Sequence, residues 1–439
     1  MKKFLPFSLL ILLGLALSGC LEENCEETRL VRGFEPEIVT TDDWRGSAFG
    51  CVYGPFEPPC ELTSFYVYGK YLLAAENLSG LYVFDNEDTS NPEIISFMDA
   101  PGIQGLAVRN NILYINQYTD LVAFDLSDPK TPRMVGRTED VFDPFTVFAQ
   151  VVPGTDNQFV VGWNETGDTR LLECNSENFN RGWFWGAEND RAFASDVAAF
   201  SANAASGSAG SPAPETVGQG GSLARFTIIN GTLYAVDDQH LKAFTLADPH
   251  QPDYVQNVNI GWGIETIFPY EDKVFIGTQT GMQIFSIADP LNAEHLSTFE
   301  HVLSCDPVVV NDDKAYVTLW GGRDCGSTGD QLEIIDVSDP RNPESLQITP
   351  MSSSHGLGVA EGKLFLCSQW EGFRVFDLDG EGLLGDELAH EQDIVARDVI
   401  VLPQNNDLIV LGYGREGIQQ YKYTDAGALT ATSRIDLCD

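Results

Sequence analysis

Residues 121–132 read LVAFDLSDPKTP, and residues 332–343 read LEIIDVSDPRNP. Each passes from a β-branched and aromatic run into an Asp-Pro step, then to a second proline. The pattern recurs as LYVFDNEDTSNPE at 81–93, LKAFTLADPHQP at 241–252, MQIFSIADPLNA at 282–293 and FRVFDLDG at 373–380. Phe84, Phe124, Phe244, Phe285, Ile335 and Phe376 hold one position of it, at spacings of 40, 120, 41, 50 and 41. The gap of 120 is three periods, so copies hide inside it. A degenerate copy reads VVPGTDNQFVVGWNETGDTRLLEC at 151–174, and a last one VLPQNNDLIVLGYGREGIQQYKY at 401–423.

Every unit has the same grammar. An apolar run meets a turn such as Asn110-Asn111, Asn230-Gly231 or Glu361-Gly362, and a second run follows, such as ILYI at 112–115. Then come a loop, the LVAF-type run, the Asp-Pro turn and a weaker fourth run. This is four short strands at hairpin spacing. The inner runs are apolar on both faces, as strands buried on both sides are. Asp suits the turn because it can accept from the backbone just ahead, and Pro fixes φ. Pro92, Pro132, Pro252 and Pro343 precede the fourth run, which is tolerable only on a sheet edge. Tandem four-stranded units of about 40 residues predict an all-β chain folded as a β-propeller. The count is eight four-stranded antiparallel blades, with seven as the alternative should the degenerate unit at 145–174 not form one. An open solenoid or two sandwiches would also be all-β, but a sandwich does not show this repeat.

The units LVAFDLSDPKTP and LEIIDVSDPRNP resemble the LVIVD repeat of bacterial and archaeal cell-surface proteins. The resemblance covers most of 62–439 and is poor in the third and eighth units. It implies a propeller in an envelope setting and brings no catalytic residues with it.

The chain starts with an address. Lys2 and Lys3 precede an apolar stretch from Phe4 to Leu17, which ends in Leu17-Ser18-Gly19-Cys20. The run is too short to span a bilayer comfortably and closes on small residues, as a signal peptide does. The ending resembles the lipobox of bacterial lipoproteins, which implies lipidation at Cys20 and removal of residues 1–19. The expected organisation is then a signal peptide (1–19), a tether with a disulfide-bearing segment (20–61), and a propeller (62–439) with an insert at about 175–222. The expected location is the bacterial cell envelope, at the outer membrane or cell surface, held by the N-terminal lipid. The insert holds Trp183, Phe184 and Trp185, read first as residues pinning it to the body and second as a contact patch. An Ala/Ser/Gly-rich stretch follows and reads as flexible loop.

With 25 Lys plus Arg against 65 Asp plus Glu, the net charge is −40. That argues against nucleic acid as a partner, since phosphate neutralisation needs cations. The 43% hydrophobic content excludes a disordered chain. No GxSxG elbow and no HExxH occur. The approach to a phosphate loop at Gly356–Lys363 has one residue too many between its glycines and Leu364 after the lysine. Asp377, Asp379 and Gly380 begin like a calcium loop that is not completed. The motifs of sialidase and quinoprotein propellers are also missing. No cofactor is expected.

Eight cysteines follow Cys20, an even number in a chain read as exported. Cys305 begins one unit and Cys325 lies in its second-to-third-strand loop, so a Cys305–Cys325 bond is expected, with Cys51–Cys60 as a second. Cys25–Cys438 would join the chain ends. Cys367 reads as a buried thiol that does not pair with Cys174.

Aligning the units on their second strands gives one residue per blade where the innermost strand begins: Thr63, Gln104, Val147, Ala224, Glu265, Asp306, His355 and Arg397. Tyr118, Trp163, Trp320, Trp370 and Tyr413 fall at matching loop positions on the same face. Polar groups converging beside aromatics suit a ligand. The expected site is therefore the channel mouth, with Gln104, Glu265, Asp306, His355 and Arg397 beside those five aromatics. Glu265, Asp306 and His355 are the three that could share a cation. The plainer reading is a wet channel mouth with aromatics packing between blades. The function expected is a non-enzymatic binding or scaffold module for an envelope protein or a glycan. The alternative is a propeller hydrolase or lyase working at the channel mouth.

Overall fold

The computed structural model describes residues 28–46, 51–52, 56–76, 79–143, 150–151, 155, 157–173, 183–185, 217–301, 307–320, 329–412, 414 and 416–438. The assignments at Cys20, Cys25, Val147, Cys174, Cys305, Asp306, Cys325 and Tyr413 lie outside these residues. So do the side chains of Cys51 and Trp163. The described chain forms eight sheets and divides into two units, 1–37 with 162–196, and 38–161 with 197–439. The first holds the greater part of a mixed sheet. In it Thr28–Thr40 lies beside Gln158–Glu173 and runs parallel to Trp183–Trp185, with Arg32 and Glu165 3.2 Å apart.

The second unit is a propeller of seven antiparallel blades. Their innermost strands are Leu62–Tyr68, Leu106–Arg109, Phe226–Ile229, Ile264–Tyr270, Val308–Asn311, Ser354–Ala360 and Ala396–Leu402. These define blades 1 to 7. Within each blade, successive strands pair in chain order. The first hairpins turn with positive φ where the sequence offered it, at Asn110 (50°) and Asn111 (63°), and at Asn230 (49°) and Gly231 (77°). Two left-handed residues in a row match the twist of the strands they join.

The repeated Asp-Pro step has two jobs. Its Asp accepts from the N–H two residues on, as Asp128 does from Lys130 at 3.2 Å and Asp248 from His250 at 2.9 Å. That fixes the turn. Its Pro then presents a carbonyl to the preceding blade. Ser96 Oγ donates to Pro129 O at 2.6 Å, Tyr114 Oη to Pro249 O at 2.9 Å, Tyr234 Oη to Pro290 O at 3.0 Å and Ser297 Oγ to Pro340 O at 2.7 Å. Each bond links one blade to the next. The fourth strands close the outer sheet edges, as the prolines before them require; in blade 1 the pair Cys51–Val52 adds beyond Glu93–Asp99.

The blade-to-blade series settles the count within this unit. Blade 2 meets blade 3 directly, through Tyr114 to Pro249, through Thr138 Oγ1 to Pro252 O at 2.8 Å, and through Phe226 against Gly105. Eight sheets are present, and the ring uses seven of them, the smaller of the two expected numbers. The described part of 145–174 instead supplies Gln150–Val151 and the long strand Gln158–Glu173. This copy lacks the Asp-Pro step, and its strands join a mixed sheet with Thr28–Thr40.

Blade 7 closes onto blade 1 through a reciprocal buried amide pair. Asn86 Nδ2 donates to Gln420 Oε1 at 2.9 Å and Gln420 Nε2 to Asn86 Oδ1 at 2.8 Å. A shared core of Leu62, Phe65, Leu72, Ile400, Ile409 and Ile418 lies across the same junction. The disulfide there is Cys60–Cys438. It corrects two expected pairings, Cys51–Cys60 and Cys25–Cys438. A bond does join the ends of the propeller, but Cys60 is the N-terminal partner because Cys438 N already donates to Pro59 O at 2.7 Å. Cys367 is a free, buried thiol.

Tyr114 gives a direct test of the inter-blade bond. Tyr114→Phe keeps the ring and removes one hydroxyl, and is expected to lower stability by about 1 kcal/mol in urea unfolding. An unchanged midpoint would show that the proline carbonyl is as well served by water.

Candidate functional site

The innermost strands do not start regularly. In blades 1, 4, 6 and 7 the pairing register shifts at the second residue, between Leu62 and Ser64, Ile264 and Thr266, Ser354 and Leu357, and Ala396 and Asp398. The extra residue in each bulge is Thr63, Glu265, His355 with Gly356, and Arg397. This is the row that the alignment of units selected. A bulge re-aims a side chain, and here it turns polar groups inward: Thr63, Glu265, His355 and Arg397 are all buried. Ala224 is buried as well, and Gln104 half-buried.

Blades 5, 6 and 7 bring part of the expected site together. Trp320 lies against the His355 ring, with centroids 4.4 Å apart. Thr318 Oγ1 donates to His355 O at 2.6 Å. Burial pushes the His355 imidazole down to about 4, helped by the Arg397 charge and opposed by a hydrogen bond with Gln369 and by Asp330. His355 is therefore neutral at physiological pH. Beside Gln369, Trp370 is 77% exposed. The loop into blade 4 exposes Trp262 to 71%. Sequence reading missed Trp262 because it compared aromatics only in second-to-third-strand loops; the signal was the pair of glycines around it, Gly261 at φ 109° and Gly263 at φ 80°.

Two other expected ligand residues serve elsewhere. Tyr118 packs on Trp44, centroids 4.7 Å apart, and so lies under the short helix Thr41–Gly46. Gln104 and Tyr118 line a small gap with Asn116, Phe142, Arg225 and Asp237. Asn116 holds that loop, accepting from Gln104 N at 2.7 Å and Gly105 N at 2.8 Å.

Among the described residues, the group able to share a cation is Asp143, Asp237 and His240, whose ligand atoms lie within 4.8 Å of one another. His240 Nδ1 is 2.9 Å from Asp143 and 3.3 Å from Asp237. Asp237 is already served, however. Lys242 Nζ sits 3.0 Å from it, and it accepts from Gln239 N and His240 N at 3.0 and 2.8 Å. A metal ion would have to displace a buried ammonium.

The channel is not open throughout. Residues 217–223 cross it, as described below, and a cavity of about 290 Å³ remains beside them, walled by the innermost strands of blades 4 to 7.

Comparison with known families agrees with this geometry. Residues 103–140 match the LVIVD repeat. The repeat spans blade 2 from Ile103, ahead of its innermost strand, to Asp140, after its outermost. Comparison with curated protein sequences finds no match. Among solved structures, a Bacteroides fragilis protein provisionally described as a 6-phosphogluconolactonase is similar, with TM-score 0.52 and 12% identity over 86% of this chain and 95% of that one. The periplasmic gluconolactonase of Pseudomonas aeruginosa has TM-score 0.51 and 8% identity over 89% and 97%. The computationally designed Ika8 protein has TM-score 0.51 and 9% identity over 86% and 89%. At these identities the likeness is one of fold.

Proposed function

We propose that this LVIVD-repeat propeller is a lipid-anchored component of the bacterial cell envelope that binds a glycan on its loop face without transforming it. The observation that carries the reading is the pair of exposed indoles, Trp262 in the loop into blade 4 and Trp370 in a loop of blade 6, together with Trp320 of blade 5 against His355. Aromatic faces contribute large apolar area to a contact at small entropic cost. The buried His355, against Trp320, and the buried Arg397 supply polarity. The lipobox-like ending at Cys20 and the Cys60–Cys438 bond support an exported, oxidising setting.

Trp262→Ala combined with Trp370→Ala is expected to weaken binding to isolated envelope polysaccharide by about 30- to 700-fold, since each truncated anchor costs roughly 1–2 kcal/mol and about 1.4 kcal/mol is a factor of ten. Isothermal titration with intact and doubly substituted protein measures it. Equal affinity would remove the loop face from the argument. Radiolabelled palmitate should label the wild-type chain and not Cys20→Ser. The hydrolase reading takes its substrate class from the named lactonases: hydrolysis of glucono-δ-lactone above the buffer rate, lost in His355→Ala, would replace the binding reading.

A further inference from the structure

The channel is closed by the chain itself. Val217 bridges to Arg109, and Gly218 N donates to Val108 O at 3.1 Å, both on blade 2. Gln219 and Gly220 then pair antiparallel with Val67 and Tyr66, as a further strand on the channel edge of blade 1. Gln219 Nε2 reaches Val401 O of blade 7 at 3.0 Å. Next comes a latch. Ser222 N and Oγ donate to Asp398 Oδ1 at 3.0 and 2.9 Å, and Leu223 N to Oδ2 at 3.3 Å. Ser222 Oγ in turn accepts from Leu357 N of blade 6 at 2.9 Å. Four blades thus hold seven residues.

The fit depends on missing side chains. A β-carbon at Gly218 would fall into the Tyr66 ring, and one at Gly221 into the Asp398 carboxylate. Gly356 makes room for that carboxylate from the other side. The composition that read as flexible loop is here the composition of a strand admitted to a narrow groove.

Innermost strands present one unpaired edge to a propeller's channel, and an unpaired edge is a template for another strand. On blade 1 that edge is taken by 219–220. On blades 4 to 7 the innermost strand has a sheet partner on one side only. Consecutive residues of these strands, such as Val309 with Val310 and Gly358 with Val359, line the cavity beside the segment, as residues of an edge-on strand do.

We infer that residues 217–223 form a strap occupying, in cis, a strand-addition groove inside the channel, and that the groove receives an extended Gly/Ser-rich segment of a partner protein when the strap withdraws. The partner chemistry follows from the occupant: extended backbone, no side chain at the positions facing Tyr66 and Asp398, and a hydroxyl for the carboxylate. This inference is independent of the loop-face glycan reading.

The test uses the full chain. Gly221→Leu cannot seat beside Asp398, and Ser222→Ala removes the hydroxyl that donates to Asp398 and accepts from Leu357 N, leaving the two backbone donors; the second serves should the first not fold. Binding of the synthetic peptide Val-Gly-Gln-Gly-Gly-Ser, which copies residues 217–222, is measured by fluorescence anisotropy against a scrambled control. The folded variant is expected to bind the peptide at least tenfold more tightly than wild type, and the control not at all. In wild type, the amides of Gly218, Ser222 and Leu223 are expected to exchange with deuterium at least tenfold faster than those of Ile409 and Val410. Exchange as slow as these core amides, or no gain of peptide binding in either folded variant, would make the segment a permanent part of the core and overturn the inference.

Discussion

Asp120→Ala is expected to destabilise the propeller by about 3 kcal/mol, the low end of the cost of breaking a buried ion pair, since Arg45 keeps Asp140 and Glu139 and Arg137 keeps Gln117. Asp120 is fully buried and faces two guanidinium groups. Arg45 Nη2 lies 2.6 Å from its Oδ1 and Arg137 Nη1 2.5 Å from its Oδ2. Asp140 N donates to it at 3.0 Å, and the Trp44 indole N–H at 3.4 Å. The arrangement fastens the helix Thr41–Gly46 to blade 2. Trp44, Tyr118, Phe159 and Val161 pack around it. The variant should therefore show an altered tryptophan emission together with a lower urea midpoint. A lowered midpoint with unchanged emission would mean that the helix is held by packing alone.

The pH dependence has a definite sign. Burial pushes the Asp120 carboxyl up, but the bonds from Arg45, Asp140 N and Arg137 outweigh it and hold it below the usual carboxylate range. A carboxyl with a lowered folded value contributes stability that is complete above its unfolded value, about 4, and is lost as pH falls through the folded one. Wild type should thus lose stability more steeply than Asp120→Asn below about pH 4.

Cys60→Ser is expected to cost a further large share of stability, about 3–5 kcal/mol. The Cys60–Cys438 bond closes a loop with a sequence separation of 378. Long loops lose most entropy on closure, so the reduced unfolded chain gains the most freedom. The bond also sits where blade 7 meets blade 1, and where Cys438 N pairs with Pro59 O. Thermal melts with and without reductant measure the effect. A wild-type melt indifferent to reductant would show that the Asn86–Gln420 pair and its apolar surround close the ring unaided. A non-reducing peptide map showing Cys51–Cys60 would overturn the pairing itself.

Much of this architecture was legible in the chain. The LVAFDLSDP units gave strand content, turn positions and the outer placement of the Pro-led strands, because each is set by local chemistry: β-branched runs, left-handed Asn and Gly, and an Asp that caps its own turn. The residue row containing Glu265, His355 and Arg397 was legible too, because every blade carries it at the same offset. Its bulges were not, since a bulge is a fact of pairing between two strands. Nor was the fate of Tyr118: it matched the loop aromatics of other units, yet it packs on Trp44 from a segment some 70 residues earlier. Trp370 matched the same position and is exposed: among the described residues no such helix covers blade 6.

By itself, then, the sequence determined the all-β class and the blade grammar. Each is a property of short stretches read one at a time. The tertiary structure alone decided that the ring closes on seven blades, that Cys60 and not Cys25 or Cys51 meets Cys438, and that VGQGGS is a strap rather than loose loop. These outcomes depend on which distant groups meet: a proline carbonyl one blade away, a backbone bond at Pro59, and a buried carboxylate at Asp398 that lies 176 residues from Ser222. A repeat fixes what each blade can offer its neighbour, and only closure of the ring fixes which neighbour it has.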